Sequence, residues 1–171
     1  GDVYKRQLLW SWAGALRGGA TTIIKEKFSA SEFWPDVRKH NATMFGYVGE
    51  LCRYLMNVPP SDEDKNHNLR VISGNGLRPD ICEKFQDIFG IPKIRELYGA
   101  TEGVGALVNT HGRPGMVGRY MRGSLVIKCD QESGDPIRNA DGYCESVEIG
   151  ETGLFVSALS KLATFEGYLD K

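Results

Sequence analysis

The sequence lacks a hydrophobic run long enough to cross a membrane. Its longest apolar stretches cover residues 8–16 and 43–48, whereas a membrane-spanning helix needs about 20 residues. Residues 1–7 are polar, and the apolar stretch behind them has no convincing cleavage site. We therefore expect neither a membrane span nor a signal peptide in this sequence.

An excess of charge of one sign is also missing. The 171 residues carry 21 basic and 22 acidic side chains, which gives a net charge of −1. A nucleic-acid-binding domain normally shows a basic patch or stripe, and a membrane-surface module of the polybasic type needs clustered lysine and arginine. The charge balance argues against both classes, while the 41% of hydrophobic residues is typical of a globular chain.

Cysteine is scarce and is not arranged to bind a metal. The four cysteines form no C-x-x-C pair, and the three histidines lie far from them in the sequence. We expect neither a zinc site nor a disulfide framework, and we interpret the cysteines as reduced thiols of an intracellular protein. Cys52 is expected to be an inert core thiol, since its only cationic neighbour is Arg53. The three histidines, His40, His67 and His111, are expected at the surface.

Helix and strand patterns alternate in the first half of the sequence. The predicted helices cover residues 8–17, 29–40, 50–57 and 79–89, and the predicted strands cover residues 20–25, 42–47, 69–73 and 93–98. Ser29 and Glu32 have the spacing of a capping box, and Gly90 is placed to end helix 79–89. This order predicts an α/β fold, with βα units around a mainly parallel sheet.

Two of the predicted helices have a recognisable apolar face. The inward face of helix 79–89 is predicted to contain Ile81, Cys82, Phe85 and Phe89. The face of helix 50–57 is predicted to contain Leu51, Tyr54 and Leu55. Glu50 and Arg53, on the same helix, are then expected to be surface charges.

The sequence changes character after residue 98. Glycine becomes frequent and no long helical period survives, while short candidate strands cover residues 106–109, 124–128, 143–147 and 154–157. Turn signals separate these strands. We therefore expect residues 8–104 to be part of an α/β subdomain and residues 105–171 to be part of a β-rich, barrel-like subdomain.

The segment Gly74-Asn75-Gly76 follows a predicted strand and precedes a predicted helix, where α/β proteins tend to bind ligands. A dinucleotide fingerprint would need glycine or alanine at position 79, which is Pro79. Two interpretations stay open. The segment is either a plain turn or a tight turn that lets backbone groups approach a ligand.

A second polar segment begins with Tyr98, directly after strand 93–98. Tyr98 offers a flat face on which a base could stack, and Gly99 and Gly103 permit close approach of the backbone. Thr101 offers a hydroxyl to a phosphoryl oxygen, and Glu102 offers a hard carboxylate suited to Mg²⁺. A turn with a helix cap would explain the same residues.

Four strings occur in a fixed order: YVGELCRYL at residues 47–55, GNGLRPDI at 74–81, ELYGATEG at 96–103 and VGR at 117–119. This series resembles the fatty acid transport proteins, also called very-long-chain acyl-CoA synthetases, of the adenylate-forming superfamily. YGATEG matches the Tyr-Gly-x-Thr-Glu motif of that superfamily. The resemblance extends over residues 8–171, whereas residues 1–7 do not share it and are interpreted as a non-native end.

The resemblance implies that the chain is part of the large N-terminal AMP-binding domain of a fatty acid–CoA ligase. In such enzymes the fatty acid carboxylate attacks the α-phosphate of ATP in the presence of Mg²⁺, giving an acyl-adenylate and pyrophosphate. Coenzyme A then displaces AMP to form the thioester. The resemblance also implies a membrane-associated parent protein at the endoplasmic reticulum, the peroxisome or the plasma membrane.

The resemblance further implies roles for individual residues. Thr101 would bind the α-phosphate, Glu102 would hold Mg²⁺, and Tyr98 would stack on the adenine. The residues that border the nucleotide would be Gly74, Asn75, Gly76, Tyr98, Gly99 and Ala100. The residues that border the acyl chain would be Tyr47, Val48, Gly49, Leu51 and Gly103.

Three parts of the family's machinery are missing from the sequence. They are the Ser/Thr/Gly-rich loop for the β- and γ-phosphates, the Tyr-x-x-Thr-Gly-Asp segment for the ribose, and the small C-terminal domain with its lysine. We therefore expect the 171 residues to be inactive alone. Two alternatives stay open: a ligase for aryl or short-chain acids, and a non-catalytic α/β nucleotide-binding module.

Overall fold

The computed structural model describes residues 12–99, 105–120 and 122–159. The described residues form two compact units. The first contains residues 12–97 and 108–118, and the second contains the remaining described residues, from 98 to 107 and from 119 onward. No helix of the described residues has the length and apolar character needed to cross a membrane.

The first unit is built from βα units, as the sequence predicts. Its helices are α1 (Gly14–Arg17), α2 (Ala30–Lys39), α3 (Gly49–Met56) and α4 (Pro79–Phe89), and its strands are β1 (Met44–Val48), β2 (Val71–Asn75) and β3 (Ile94–Gly99). Strand β2 pairs in parallel with β1 on one side and with β3 on the other. Two further short strands follow in the sequence, β4 (Ala106–Val108) and β5 (Arg119–Tyr120).

Local signals explain where two of the helices begin and end. The Ser29 hydroxyl accepts the Glu32 N–H at 3.4 Å and caps α2, which continues through Pro35. Pro79 occupies the first turn of α4, where its missing N–H costs nothing. Gly90 ends that helix with a left-handed φ of +64°, a conformation that favours glycine.

The core of the first unit lies between the helices and the parallel sheet. Leu55 of α3, Ile72 of β2 and Phe85 of α4 are almost completely buried. Trp34 of α2 stacks on Phe89 of α4, with ring centroids 4.6 Å apart. The inward face predicted for α4 is confirmed at Cys82, Phe85 and Phe89, which are buried, and Ile81 packs partly against the same core.

The predicted strand over residues 20–25 is wrong. These residues are irregular, and the Ile24 side chain is 77% exposed. A run of threonine and isoleucine favours a strand only where a neighbouring strand and a packed face exist. The predicted helix over residues 8–17 is confirmed at α1, while residues 8–11 lie outside the described part of the chain.

The face predicted for the helix after β1 is also shifted. In α3 the buried residues are Gly49, Cys52 and Leu55, whereas Tyr54 is 43% exposed. Cys52 and Leu55 are three positions apart and therefore lie on one face. Burial of Cys52 confirms the expectation of a core thiol.

His67 is not the surface residue that the sequence suggested. Its ring stacks on Trp34 at a centroid distance of 5.0 Å. The Leu69 N–H donates to Nδ1 at 3.1 Å, so the proton belongs on Nε2, which donates to the Phe89 carbonyl at 2.8 Å. The polar residues around His67 in the sequence conceal this partly buried position.

The described residues of the second unit contain strands and turns but no helix, which confirms the β-rich prediction. Strands β6 (Ser124–Ile127) and β7 (Leu154–Ser157) form an antiparallel pair. The strand predicted over residues 143–147 is wrong, because Cys144 and Ser146 bridge two different partners and build no continuous ladder. The barrel-like arrangement stays a prediction.

Candidate functional site

The carboxyl ends of three parallel strands lie at one edge of the sheet. Strand β1 runs into α3 at Gly49, and strand β2 ends at Asn75. The register places Tyr47 opposite Gly74, and Gly74 opposite Glu96 of β3. Ligands of open α/β sheets bind at this edge, so the predicted turn Gly74-Asn75-Gly76 stands at a suitable place.

Two glycines at this edge allow backbone segments to touch. A Cβ atom on Gly49 would lie 1.8 Å from the Gly76 carbonyl oxygen, and one on Gly74 would lie 2.0 Å from the Tyr47 carbonyl oxygen. No larger residue fits either position without movement of the backbone. The N-terminus of α3 is therefore packed directly on the turn after β2.

Gly76 has a different reason to be glycine. Its φ is +75°, a left-handed conformation that side chains rarely adopt. A Cβ atom there would meet no atom of the described residues within 4 Å, and the same holds at Gly99 at the end of β3. Both positions thus leave open space beside the backbone, as the approach of a ligand requires.

A carboxylate that the sequence analysis missed ties this turn to the sheet. Glu96 Oε1 accepts the Tyr47 hydroxyl at 2.6 Å and the Leu77 N–H at 2.9 Å. A signal was available in the strand alternation, because Glu96 lies two residues after the buried Ile94 and therefore on the same face of β3. A charged residue on an inward strand position indicates a buried polar partner.

The electrostatics around Glu96 follow from its negative charge and from burial. Burial, with the hydrogen bond to Glu96 second, raises the pKa of Tyr47 far above its ordinary value. Burial also raises the pKa of the Cys52 thiol to about 12, with the charge of Glu96 adding to the effect. The pKa of Cys82 is raised for the same two reasons. Tyr47 thus stays a neutral donor, and these two thiols are not nucleophiles at neutral pH.

The second predicted segment is described only in part. Tyr98 is 49% exposed, and its ring meets Phe155 edge-on at a centroid distance of 6.4 Å. The predicted site residues Ala100, Thr101, Glu102 and Gly103 lie outside the described residues. The roles predicted for Thr101 and Glu102 therefore stay predictions. Within the described ranges, no cluster of three His, Cys, Asp or Glu residues is arranged to hold a metal ion.

The residues predicted to border an acyl chain differ in accessibility. Val48 is 40% exposed and Leu51 is half-buried, so both offer apolar surface near the end of β1. The Tyr47 side chain is only 2% exposed and its hydroxyl is bonded to Glu96. Gly49 is buried against the turn after β2.

The proteins of similar sequence include a fatty acid transport protein and a fatty-acid–CoA ligase. The chain is 44% identical to long-chain fatty acid transport protein 3 of Mus musculus, over 97% of this chain and 27% of that protein. It is 40% identical to the medium/long-chain-fatty-acid–CoA ligase FadD6 of Mycobacterium tuberculosis, over 92% of this chain and 26% of that protein. The chain thus spans about a quarter of the length of the curated relatives it matches.

The fold is shared with solved structures. The ATP-bound MatB of Rhodopseudomonas palustris superposes with a TM-score of 0.65 over 90% of this chain and 29% of MatB, at 18% sequence identity. At that identity the likeness concerns the fold alone. A family model described as AMP-binding enzyme matches residues 6–157. Since this match covers most of the 171 residues, the chain belongs to the AMP-binding enzyme family.

Proposed function

We propose that this chain is part of a ligase that uses ATP to join a long-chain fatty acid to coenzyme A. The observation that carries the proposal is the turn Gly74–Gly76 at the carboxyl edge of a parallel sheet. Gly76 packs against Gly49 of α3, and the next N–H in the chain, that of Leu77, donates a hydrogen bond to Glu96. Membership of the AMP-binding family supports a nucleotide as the ligand of this edge. The names of the mouse and mycobacterial relatives support a fatty acid as the acid that is activated.

Two segments would contribute to nucleotide binding, the turn after β2 and the segment after β3. Gly74, Asn75 and Gly76 would border the adenine, and Tyr98 would stack on it, with Gly99 and Ala100 beside it. The open space at Gly76 and Gly99 supports this placement. The 49% exposure of Tyr98 supports it as well, because a base needs an accessible aromatic residue on which to stack.

Thr101 and Glu102 would act on the phosphates. A hydroxyl and a carboxylate are suitable groups for a phosphoryl oxygen and for Mg²⁺, so the residue types fit the metal that the family implies. The metal would neutralise negative charge that builds up on the phosphoryl oxygens during attack by the fatty acid. Thr101 would donate a hydrogen bond to the α-phosphate and hold it in the line of attack.

The acyl chain would lie beside the end of β1. Val48 and Leu51 present apolar surface there, and the affinity for a chain would grow by about 0.8 kcal/mol per buried CH₂ group. Tyr47, Gly49 and Gly103 complete the proposed border. Tyr47 is buried, so it would support the border through its hydrogen bond to Glu96. The whole ligase would be associated with a membrane.

Palmitate-dependent exchange of pyrophosphate into ATP tests the proposal in the ligase that carries this chain. Glu102→Gln should lower the exchange about 100- to 1,000-fold, because it removes the charge that holds the metal. Glu132→Gln, at an exposed position, is the matched control and should retain exchange. Unchanged exchange in Glu102→Gln would contradict the assignment, and exchange with benzoate or acetate in place of palmitate would favour the ligases for smaller acids.

The same assay addresses the 171 residues alone. Without a loop for the β- and γ-phosphates, a ribose-binding aspartate and a C-terminal lysine, the chain should give no exchange above a control without protein. Loss of a single electrostatic contributor commonly costs a factor of about 100 to 1,000. Exchange by the isolated chain would show that these parts are dispensable.

A further inference from the structure

The peptide unit between Gly76 and Leu77 is held on both of its polar sides. Its carbonyl oxygen lies against Gly49 at the N-terminus of α3, where even a single added carbon would not fit. Its N–H donates to Glu96 Oε1 at 2.9 Å. A peptide unit that is fixed at both ends cannot rotate, although the neighbouring glycine has the conformational freedom to let it do so.

Glu96 is itself rigidly placed. Its backbone lies opposite Gly74 in the β2–β3 pairing, and its carbonyl oxygen accepts the Asn109 N–H at 2.9 Å. Its side chain is held by the hydroxyl of the buried Tyr47 at 2.6 Å. The carboxylate therefore joins β1, β3 and the turn after β2 at one oxygen atom.

We infer that Glu96 is a positioning residue of the adenylation site, which sets the orientation of the Gly76–Leu77 peptide and with it the nucleotide-facing turn. The inference rests on the proposed function, because it takes the turn to border ATP. The charge of Glu96 also excludes the rotated peptide, since rotation would turn the Gly76 carbonyl oxygen towards a carboxylate. Glu96 acts through the turn and does not itself touch the nucleotide.

The test compares variants of the ligase that carries this chain in ATP–pyrophosphate exchange. Glu96→Ala removes the acceptor and should raise the KM for ATP about 10- to 100-fold, the range expected for a lost hydrogen bond to a charged group. The KM for palmitate should change much less. Glu96→Gln keeps an oxygen acceptor of the same reach and should restore most of the affinity for ATP. Glu83→Ala, at an exposed position of α4, is the matched control.

A purely structural role would give a different pattern. It would lower the melting temperature of Glu96→Ala but leave both KM values of the folded enzyme unchanged, and that result overturns the inference. If Glu96→Ala does not fold, Glu96→Asp takes its place. Aspartate keeps the charge but withdraws the carboxylate by one methylene, so the KM for ATP should still rise at least about threefold. An unchanged KM for ATP in Glu96→Asp overturns the inference.

Direct binding of Mg²⁺–ATP, measured by calorimetry in the same variants, separates this inference from the proposed function. A wild-type ligase that binds ATP but shows no exchange with palmitate contradicts the proposed function alone. The Kd for ATP of Glu96→Ala then decides the inference, with weaker binding supporting it and equal binding overturning it. A wild-type protein that binds no ATP contradicts both.

Discussion

Gly49→Ala tests the packing of α3 on the turn after β2. A Cβ atom at this position would lie 1.8 Å from the Gly76 carbonyl oxygen and 2.9 Å from the Leu77 amide nitrogen. Both atoms belong to the backbone and cannot swing aside as a side chain could. The helix terminus and the turn must therefore separate by about 1.5 Å before ordinary van der Waals contact is restored.

The cost follows from two opposing effects of the added methyl group. Overpacking of a tight contact lowers the free energy of unfolding by about 1–3 kcal/mol, and more where only backbone can move. Alanine returns up to about 1 kcal/mol through its better helix propensity. A net loss of about 2 kcal/mol is therefore expected. With a urea slope of about 2 kcal/mol per molar, the unfolding midpoint of Gly49→Ala should fall by about 1 M.

Urea unfolding of the 171-residue chain, followed by circular dichroism, measures this loss against two matched glycine variants. Gly76→Ala meets no atom within 4 Å but keeps a φ of +75°, so it should cost about 1–2 kcal/mol through backbone conformation alone. Gly14→Ala has open space and an ordinary helical backbone, so it should be neutral or slightly stabilising. A Gly49→Ala chain as stable as Gly14→Ala would refute the packing argument.

Three further outcomes are expected. The pKa of Tyr47 is raised in the folded chain, whereas in the unfolded chain it has its ordinary value of 10.0. As the pH rises, the unfolded chain therefore loses this proton before the folded chain does. Wild type should therefore lose up to about 1.4 kcal/mol of stability per pH unit above that value by urea unfolding, and Tyr47→Phe should lack this component. Phe85→Ala, at a 1% exposed position, should lower the free energy of unfolding by about 3–5 kcal/mol, and Ile88→Ala, 39% exposed, by less than about 1 kcal/mol. Cys144 should react with iodoacetamide well before Cys52, as measured by peptide mass spectrometry, because Cys52 is fully buried and has a pKa of about 12. Equal labelling rates of the two thiols would contradict the burial of Cys52.

Helix α4 was predictable from its sequence because its signals are local. Pro79 favours the first turn, Gly90 supplies the left-handed residue after the last turn, and the apolar residues between them recur at helical spacing. The observed bounds and the predicted bounds are the same. The strands β1, β2 and β3 were likewise placed to within two residues, because each is a short apolar run between turn signals.

Residues 20–25 were not predictable in the same way. Their threonine and isoleucine content favours a strand, yet the Ile23 and Ile24 side chains are exposed and the segment pairs with no strand among the described residues. Whether a strand forms depends on a partner that is remote in the sequence. The same limit applies to residues 143–147, because Cys144 bridges Arg138 whereas Ser146 bridges Ile127.

The candidate site was predictable in its motifs but not in its contacts. The sequence left open whether Gly74–Gly76 is a plain turn or a turn that a ligand approaches, and it did not predict the contact of Gly76 with Gly49. The role of Glu96 was missed because its partners, the Tyr47 hydroxyl and the Leu77 N–H, come from two other segments. A carboxylate in a strand is usually a solvated charge, and only the three-dimensional pairing distinguishes this one.

Three of the four segments that carry the family resemblance contribute residues to this edge. Residues 47–55 begin in β1, residues 74–81 begin at the end of β2, and residues 96–103 begin in β3 with Glu96 itself. The first supplies Tyr47 and Gly49, the second supplies the turn, and the third supplies the carboxylate that holds it. Because each segment fixes the geometry of another, the proposed function predicts that a change in one segment alters the affinity for ATP even where the altered residue does not contact the nucleotide. The three segments therefore supply both the proposed ligand-binding surface and the framework that orients it.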